Sequence, residues 1–302
     1  MTQQPPSNLI IGVLSLQGGF SEHVFHFISP SRLGLSSSSI IEVRTPSELE
    51  KCDALVIPGG ESTAIGLIAA RQGMLEPLRD WVNIQKKPTW GTCAGLVMLS
   101  DRAEGAKEGG QALLGGMDCK VHRNFFGSQM ASFEAPLVLK DEALRKLVLG
   151  SRAKDATASF TGVFIRAPAI LEFGSDVEPL VWVAPRQLSD ANVPDLSSVN
   201  SSSSRQASII DPVLVGARYK HILVTAFHPE LTNDCGFHRF FAEYASQKTG
   251  KRLLFAREDT NSSNSSNSSS CRLPGAPSLD AEIRDKVVTG VQSWMTKQTT
   301  IQ

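Results

Sequence analysis

The sequence predicts an α/β protein built on a mostly parallel β-sheet that is covered on both faces. Short apolar runs bounded by Gly and Pro alternate with segments of helical period, and this alternation is typical of parallel sheets. The composition agrees with a packed core, because 41% of the 302 residues are hydrophobic and 20% are charged.

The expected elements follow from these runs and from their turn residues. In the first third of the chain we expect strands at residues 9–16, 40–43, 54–57 and 88–90, and helices at residues 22–28, 48–51 (capped by Ser47), 62–72, 75–85 and 96–100, with a Ser-rich loop at residues 29–39. Further along, we expect strands at residues 118–122, 132–139, 162–166, 177–183, 213–219 and 222–227, and a helix at residues 236–246.

Two segments of low complexity divide the chain. Residues 186–210 and 256–277 resemble linkers. Within them, residues 197–204 and 261–270 are runs of Ser or Asn that cannot bury enough apolar surface to fold. We therefore expect one domain at residues 1–255, with a Ser-rich insertion at about 186–210. A linker at residues 256–277 and a C-terminal helix at residues 278–302 follow.

Charge and cysteine content exclude several classes of protein. Lys plus Arg and Asp plus Glu both number 30, so no net charge favours nucleic acid or an anionic membrane. We find no apolar run of about 20 residues and no basic segment before the first apolar run, so neither a membrane span nor a signal peptide is expected. Five widely spaced cysteines are no disulfide framework, and a cytoplasmic setting is expected.

The first motif that indicates chemistry is Gly91-Thr92-Cys93-Ala94-Gly95, which lies between a predicted strand and a predicted helix. Small residues on both sides of a cysteine are typical of a nucleophile elbow, where the helix N-terminus favours the thiolate. The same turn presents the Ala94 N–H to an oxyanion. The alternative is a buried, inert cysteine.

The second motif is His228-Pro229-Glu230, at the end of a predicted strand. A nucleophilic cysteine needs a base, and the base needs an orienting partner. Residues i and i+2 of an extended chain point the same way, so Glu230 is expected beside His228. Taken alone, each residue also fits a purely structural role. The other five histidines have no such context, and no set of residues has the spacing of a metal site.

The third motif is the loop at residues 58–63, which contains Gly59 and Gly60 after a strand. Two glycines let a backbone approach a ligand closely, and the Gly60 N–H would complete an oxyanion hole. A phosphate site and an ordinary loop with Ser62 as helix cap are the alternatives. The pattern of a P-loop is absent.

Together, six ordered segments resemble one family, the PdxT/SNO family of class I (triad-type) glutamine amidotransferases, which are the glutaminase subunits of pyridoxal 5′-phosphate synthase. The segments cover most of residues 9–244. They are residues 12–18, 58–63, 91–96, 123–127, 160–168 and 227–232.

The resemblance implies a three-layer α/β sandwich of the flavodoxin-like, class I glutamine amidotransferase fold. It implies that Cys93 is the nucleophile, that His228 and Glu230 complete a triad, and that Gly60 and Ala94 form the oxyanion hole. The implied glutamine-binding residues are Gly60, Glu61, Ser62, Arg123, Ile165 and Arg166. Arginine suits a substrate carboxylate because its guanidinium donates two parallel hydrogen bonds; a surface charge is the alternative for each arginine.

The resemblance also implies a reaction and a partner. Family members hydrolyse L-glutamine to L-glutamate and ammonia through a γ-glutamyl thioester, with no cofactor or metal of their own. The ammonia passes to a separate synthase subunit, which builds pyridoxal 5′-phosphate from ribose phosphate and a triose phosphate. A partner-independent γ-glutamyl thiol hydrolase of the same fold and a non-catalytic binding subunit are the alternatives.

Overall fold

The computed structural model describes residues 7–105, 112–126, 132–184 and 212–256. In these ranges the helices are α1 Phe20–Ile28, α2 Pro46–Leu49, α3 Ser62–Arg71, α4 Leu75–Asp80, α5 Ala94–Leu99, α6 Glu142–Leu149 and α7 Gly236–Thr249. The strands are β1 Ile11–Leu14, β2 Ile40–Val43, β3 Ala54–Ile57, β4 Thr89–Thr92, β5 Ser100–Glu104, β6 Met117–His122, β7 Phe133–Leu139, β8 Thr161–Phe164, β9 Ala169–Phe173, β10 Glu178–Val183, β11 Val213–Tyr219 and β12 Ile222–Thr225.

The main sheet has nine strands in the order β2-β1-β3-β4-β12-β11-β10-β7-β8, and a smaller sheet has the order β5-β6-β9. The α/β fold predicted from the sequence is confirmed, but the sheet is parallel only from β2 to β12. From β12 to β8 every pairing is antiparallel. The expectation of a mostly parallel sheet is therefore correct for about half of it. In the other half, β11 and β12 form a two-residue hairpin, and β10, β7 and β8 extend the sheet beyond β11 in alternating directions.

Helices cover both faces of the parallel half. Every residue of β1, β3, β4 and β12 is buried, as expected of strands between two layers. The chain moves one way across the sheet from β1 to β2 and the other way from β3 to β4. Right-handed crossovers therefore put α1 on one face and α3 and α4 on the opposite face.

Local chemistry shifts several predicted boundaries. Helix α2 begins after Thr45, not Ser47, because Thr45 and Glu48 form a capping box. The helix expected at residues 75–85 is α-helical only to Asp80, and it continues as a π-helical turn that ends at Lys86 with φ +52°. Helix α5 begins at Ala94 and ends at Leu99, so the helix expected at residues 96–100 starts two residues earlier.

The middle of the chain departs most from prediction. Helix α6 and strands β5 and β9 were not predicted. Helix α6 lies between β7 and β8, which were both predicted. Two predicted strands end two residues early, since β8 ends at Phe164 and β12 at Thr225. Helix α7 extends three residues beyond its predicted end, to Thr249.

The predicted Ser-rich insertion lies outside the described residues, as do the C-terminal helix and nearly all of the preceding linker. Within the described ranges, no helix combines the length and the apolar character that a membrane crossing requires.

Candidate active site

Cys93 occupies a sharp turn between β4 and α5. Its φ of +44° lies in the left-handed region, which a residue with a side chain adopts only under strain. Glycines on both sides permit the turn. A Cβ at Gly91 would lie 2.6 Å from the Gly95 backbone, and one at Gly95 would lie 2.2 Å from the Ile57 carbonyl oxygen. The glycine spacing therefore allows α5 to pack directly on the sheet, as in a nucleophile elbow.

His228 and Glu230 lie just beyond β12. The predicted extended chain is wrong in detail here, because Pro229–Leu231 forms a 3-10 turn. The two side chains still meet, with His228 Nδ1 at 2.7 Å from Glu230 Oε1. Both residues are buried. The turn thus achieves the contact that was predicted for a different backbone.

Cys93, His228 and Glu230 influence one another's charge. Cys93 and His228 line the same cavity, and Cys93 is near enough to influence the charge of the ring. Burial lowers the pKa of His228, but Cys93 and Glu230 together raise it well above its ordinary value. Burial raises the pKa of Glu230, yet His23 and His228 bring it below its ordinary value. Cys93 and Glu230 therefore make the His228 imidazole a stronger base than burial alone would leave it, and Glu230 stays a carboxylate.

Gly59 provides the space in which this pair lies. A Cβ at Gly59 would be 2.4 Å from His228 Cε1 and 3.2 Å from Glu230 Oε1. Real Cβ atoms essentially never approach another atom to 2.4 Å, so any side chain at this position would displace the imidazole. The first glycine of the predicted loop therefore leaves room for the side chain of a predicted catalytic residue.

The rest of that loop is fixed by Glu61 and Gln17. The Glu61 carboxylate accepts hydrogen bonds from the backbone N–H groups of Thr63 (3.2 Å) and Ala64 (2.7 Å) and so caps α3. Glu61 is the helix cap, and Ser62 is the first residue of the helix. Gln17 Oε1 accepts a hydrogen bond from the Glu61 N–H at 2.9 Å.

Arg123, which follows β6, reaches across to this loop. Its Nη2 donates to Glu61 Oε1 and to Thr63 Oγ1, both at 3.2 Å. Burial raises the pKa of Glu61, but the hydrogen bonds from Ala64 and Thr63 and the Arg123 charge lower it overall. Glu61 therefore stays ionised beside an arginine whose side chain is 14% exposed.

The structure brings nine of the ten predicted site residues to the wall of one cavity of about 230 Å³. Glu230 is the exception, since it lies behind His228. The predicted residues that line the cavity are Gly60, Glu61, Ser62, Cys93, Ala94, Arg123, Ile165, Arg166 and His228. A thiol with its base, in a cavity that holds two arginines, can perform nucleophilic catalysis on a substrate with an anionic group.

Four further residues of the cavity wall were not predicted, although three of them lie within the quoted motifs. They are Gln17, Val97, Asn124 and Pro168. His23, which has no motif of its own, also lies beside the predicted triad. Its Nε2 lies 3.4 Å from Glu230 Oε2, on the side of the carboxylate away from His228.

The chain is similar to known glutamine amidotransferases over most of its length. The sequence profile of the SNO glutamine amidotransferase family matches residues 13–247. A probable pyridoxal 5′-phosphate synthase subunit PDX2 of Arabidopsis thaliana is 41% identical over 244 residues, which cover 79% of this chain and 87% of that protein. A pyridoxal 5′-phosphate synthase subunit PdxT of Clostridium kluyveri is 37% identical over 231 residues (76% and 96%). A crystal structure of a glutamine amidotransferase matches with a TM-score of 0.57 and 34% identity (78% and 99%).

Proposed function

This chain belongs to the SNO glutamine amidotransferase family, and on that basis we propose that it is the glutaminase subunit of a pyridoxal 5′-phosphate synthase. The family resemblance predicted from the motifs is confirmed, and with it the conclusion that the chain is an enzyme. The subunit role is supported by the names of two relatives that align over most of their length. The observation that carries the chemistry is the contact of Cys93 and Glu230 with His228.

In the first half of the reaction, His228 takes the Cys93 proton and the thiolate attacks the side-chain carbonyl carbon of L-glutamine. The carbonyl oxygen becomes an oxyanion that accepts hydrogen bonds from the Gly60 and Ala94 N–H groups. His228 then returns its proton to the leaving nitrogen. The C–N bond breaks, ammonia departs, and a γ-glutamyl thioester remains on Cys93.

In the second half, His228 takes a proton from water, and the hydroxide attacks the thioester carbon. The C–S bond breaks, glutamate leaves, and the proton returns to Cys93. Glu230 orients the imidazole in both halves and stabilises its positive charge, as the carboxylate of a Ser-His-Asp triad does.

The cavity supports glutamine as the substrate. Arg123 and Arg166 offer guanidinium groups for the α-carboxylate, and Glu61 offers a negative charge for the α-ammonium. We assign Ser62 and Ile165 to the same binding site because they line the same cavity as these charges and Cys93. Glu61 has a double role, since it also caps α3.

The ammonia is consumed by a partner, the synthase subunit that uses ribose phosphate. Transfer within a complex keeps ammonia unprotonated, which matters because only the neutral molecule is a nucleophile. Three buried cysteines of the described residues, Cys52, Cys93 and Cys119, form no disulfide, which fits a reducing cytoplasmic setting. A partner-independent γ-glutamyl thiol hydrolase is the second candidate, because the same triad serves both reactions.

The test is glutamate release from L-glutamine by the full chain, alone and with a purified synthase subunit. We expect release that rises with the synthase and disappears in Cys93→Ala. Equal release without the synthase would favour the independent hydrolase. Complex formation without any release would leave the chain a binding subunit.

A further inference from the structure

Three histidines lie directly behind the carboxylate of the triad. His23 and His26 come from α1, and His238 comes from α7. Two of the three are fully buried and His26 is nearly so. The mechanism above uses none of them.

These histidines contact Glu230 and one another. His23 Nδ1 lies 2.9 Å from His238 Nε2. On its other side, His23 Nε2 lies 3.4 Å from Glu230 Oε2 and 3.3 Å from Thr92 Oγ1. Glu230 Oε2 is buried and has no hydrogen bond within the described part of the chain. His23 therefore stands between His238 and the carboxylate oxygen that His228 does not use.

Burial keeps these imidazoles neutral. It lowers the pKa of His23, where Glu230 and Glu22 act in the opposite direction and His228 reinforces the effect of burial. Burial also lowers the pKa of His238 well below its ordinary value, and His23 adds to this effect. Each of the two rings then carries one proton, and the position of that proton is set by hydrogen bonding.

The contact between His23 Nδ1 and His238 Nε2 holds a single proton, so two arrangements are available. If His238 Nε2 carries it, His23 has its own proton on Nε2, facing Glu230 Oε2. If His23 Nδ1 carries it, a bare Nε2 lone pair faces the carboxylate. In that second case His238 also holds a buried Nδ1–H, for which the described residues supply no acceptor.

Electrostatics decides between the two arrangements. A carboxylate oxygen only accepts hydrogen bonds, so it favours an N–H over a lone pair. An unpaired buried donor such as His238 Nδ1–H is also disfavoured. Thr92 does not discriminate, because a hydroxyl can donate or accept. Both ends of the pair therefore favour the proton on His238 Nε2.

His26 holds the backbone of Glu230. Its Nε2 lies 3.2 Å from the Glu230 carbonyl oxygen, which only accepts, so the Nε2 carries the proton. Its ring stacks on His238 with centroids 4.3 Å apart and planes at 8°. Burial lowers the pKa of His26 to about 4, with Arg32 and His23 adding to the effect.

We propose that His23 and His238 are positioning residues of the triad: His238 fixes the tautomer of His23, and His23 directs an N–H at Glu230 Oε2. This holds the carboxylate against His228 from the side opposite the substrate cavity. The role in catalysis rests on the glutaminase function proposed above. The tautomer itself is a property of the folded chain and does not depend on that function.

The test compares three variants of the full chain. His238→Phe removes the N–H that fixes His23, whereas His238→Gln keeps a side-chain N–H donor. Phe27→Leu is the matched control, because the Phe27 ring packs edge-on against His238 at 5.1 Å but forms no hydrogen bond with it. The variants would be assayed for kcat, KM and the pH profile of glutamine hydrolysis.

Loss of the N–H directed at Glu230 raises the pKa of that carboxylate. The acidic limb of the pH profile of activity should therefore shift to higher pH. We expect His238→Phe to lower kcat about 10- to 100-fold with little change in KM. His238→Gln should retain most of the kcat and the original pH profile. Phe27→Leu should lower stability without moving the profile.

Two readouts do not depend on glutaminase activity. The ¹⁵N shifts of the His23 ring should show the Nε2–H tautomer in the wild-type chain. The rate of Cys93 alkylation by iodoacetamide, followed by peptide mass, should change its pH dependence in His238→Phe. Both can be measured even if glutamine is not the substrate, so failure of the proposed function would be recognised separately.

Three results would overturn the proposal. The first is an Nδ1–H tautomer at His23 in the wild-type chain, which decides the matter even if His238→Phe fails to fold. The second is an unchanged pH profile in His238→Phe. The third is a shift of the same size in Phe27→Leu or His238→Gln, since packing alone would then explain it.

Discussion

Gly59 illustrates how a single backbone position can control the geometry of the proposed triad. We predict that Gly59→Ala lowers kcat about 100-fold, because the added Cβ would lie 2.4 Å from His228 Cε1 and displace the ring. Stopped-flow or end-point assays of glutamate release would measure the loss.

Gly66→Ala in α3 is the matched control. Its Cβ would meet the Ala112 Cβ at 3.5 Å, which is an ordinary contact. This variant should keep wild-type activity. An equal loss in both variants would contradict a specific role for Gly59.

The charge of Glu230 gives the second prediction at this scale. Glu230→Gln preserves the shape of the side chain but removes the carboxylate that raises the pKa of His228. We expect kcat to fall about 10³- to 10⁴-fold, as for the loss of the carboxylate in a serine protease triad. Wild-type kcat in a variant with a native circular dichroism spectrum would count against the assigned role.

The candidate catalytic residues could be predicted from the sequence, whereas the buried histidines behind Glu230 could not. Cys93 and His228 lie in short motifs whose glycines or flanking strand suggest a function. His23 and His238 are 215 positions apart, and only the packing of α1 on α7 brings them together. No local spacing could have revealed that contact.

At the scale of elements, prediction succeeded where an apolar run was enclosed by turn residues. Strands β2, β3 and β11 have the predicted bounds. Helix α6 was missed because its eight residues are too few for a clear helical period and lie among strand-like segments. Its N-cap was the available signal, since Asp141 accepts a hydrogen bond from the Leu144 N–H at 2.8 Å.

This cap can be tested on its own. Asp141→Ala should lower the free energy of unfolding by about 1 kcal/mol, because the Leu144 N–H loses its acceptor. Urea denaturation would measure the change. Lys146→Ala, an exposed position in the same helix, should change stability by no more than about 0.5 kcal/mol. Equal effects would show that the cap contributes nothing specific.

At the scale of the whole molecule, the mixed sheet could not have been predicted from the strands alone. The direction of a strand depends on its connection, and the antiparallel half contains connections whose helices and turns were missed. The predicted layers of helix and sheet were correct because they depend on burial, which apolar runs do report.

The buried histidines give the molecule a predicted sensitivity to acid. His26 has a pKa lowered to about 4, and His23 and His238 are also lowered, so the folded chain binds fewer protons than the unfolded chain below pH 6.5. The free energy of unfolding should therefore fall as the pH decreases from 6.5 to 5, by up to about 1.4 kcal/mol per unit for each histidine. His228 acts in the opposite direction because its pKa is raised, and its contribution fades as the unfolded-state imidazole becomes protonated below its ordinary pKa of 6.5.

Urea denaturation across this pH range would measure the slope. His26→Gln keeps an N–H for the Glu230 carbonyl but cannot be protonated, so its slope should be smaller than that of the wild type. A wild-type stability that is constant from pH 6.5 to 5 would contradict neutral, buried histidines.

The central claim is that Cys93 forms a covalent bond with the substrate, and acid quenching tests it most directly. The chain, with the synthase subunit present, would be mixed with L-glutamine, quenched in acid and digested for mass spectrometry. We predict a γ-glutamyl adduct on the Cys93 peptide that appears during turnover and is absent in Cys93→Ser. Steady release of glutamate without any adduct on Cys93, or with an adduct on another cysteine, would contradict the account.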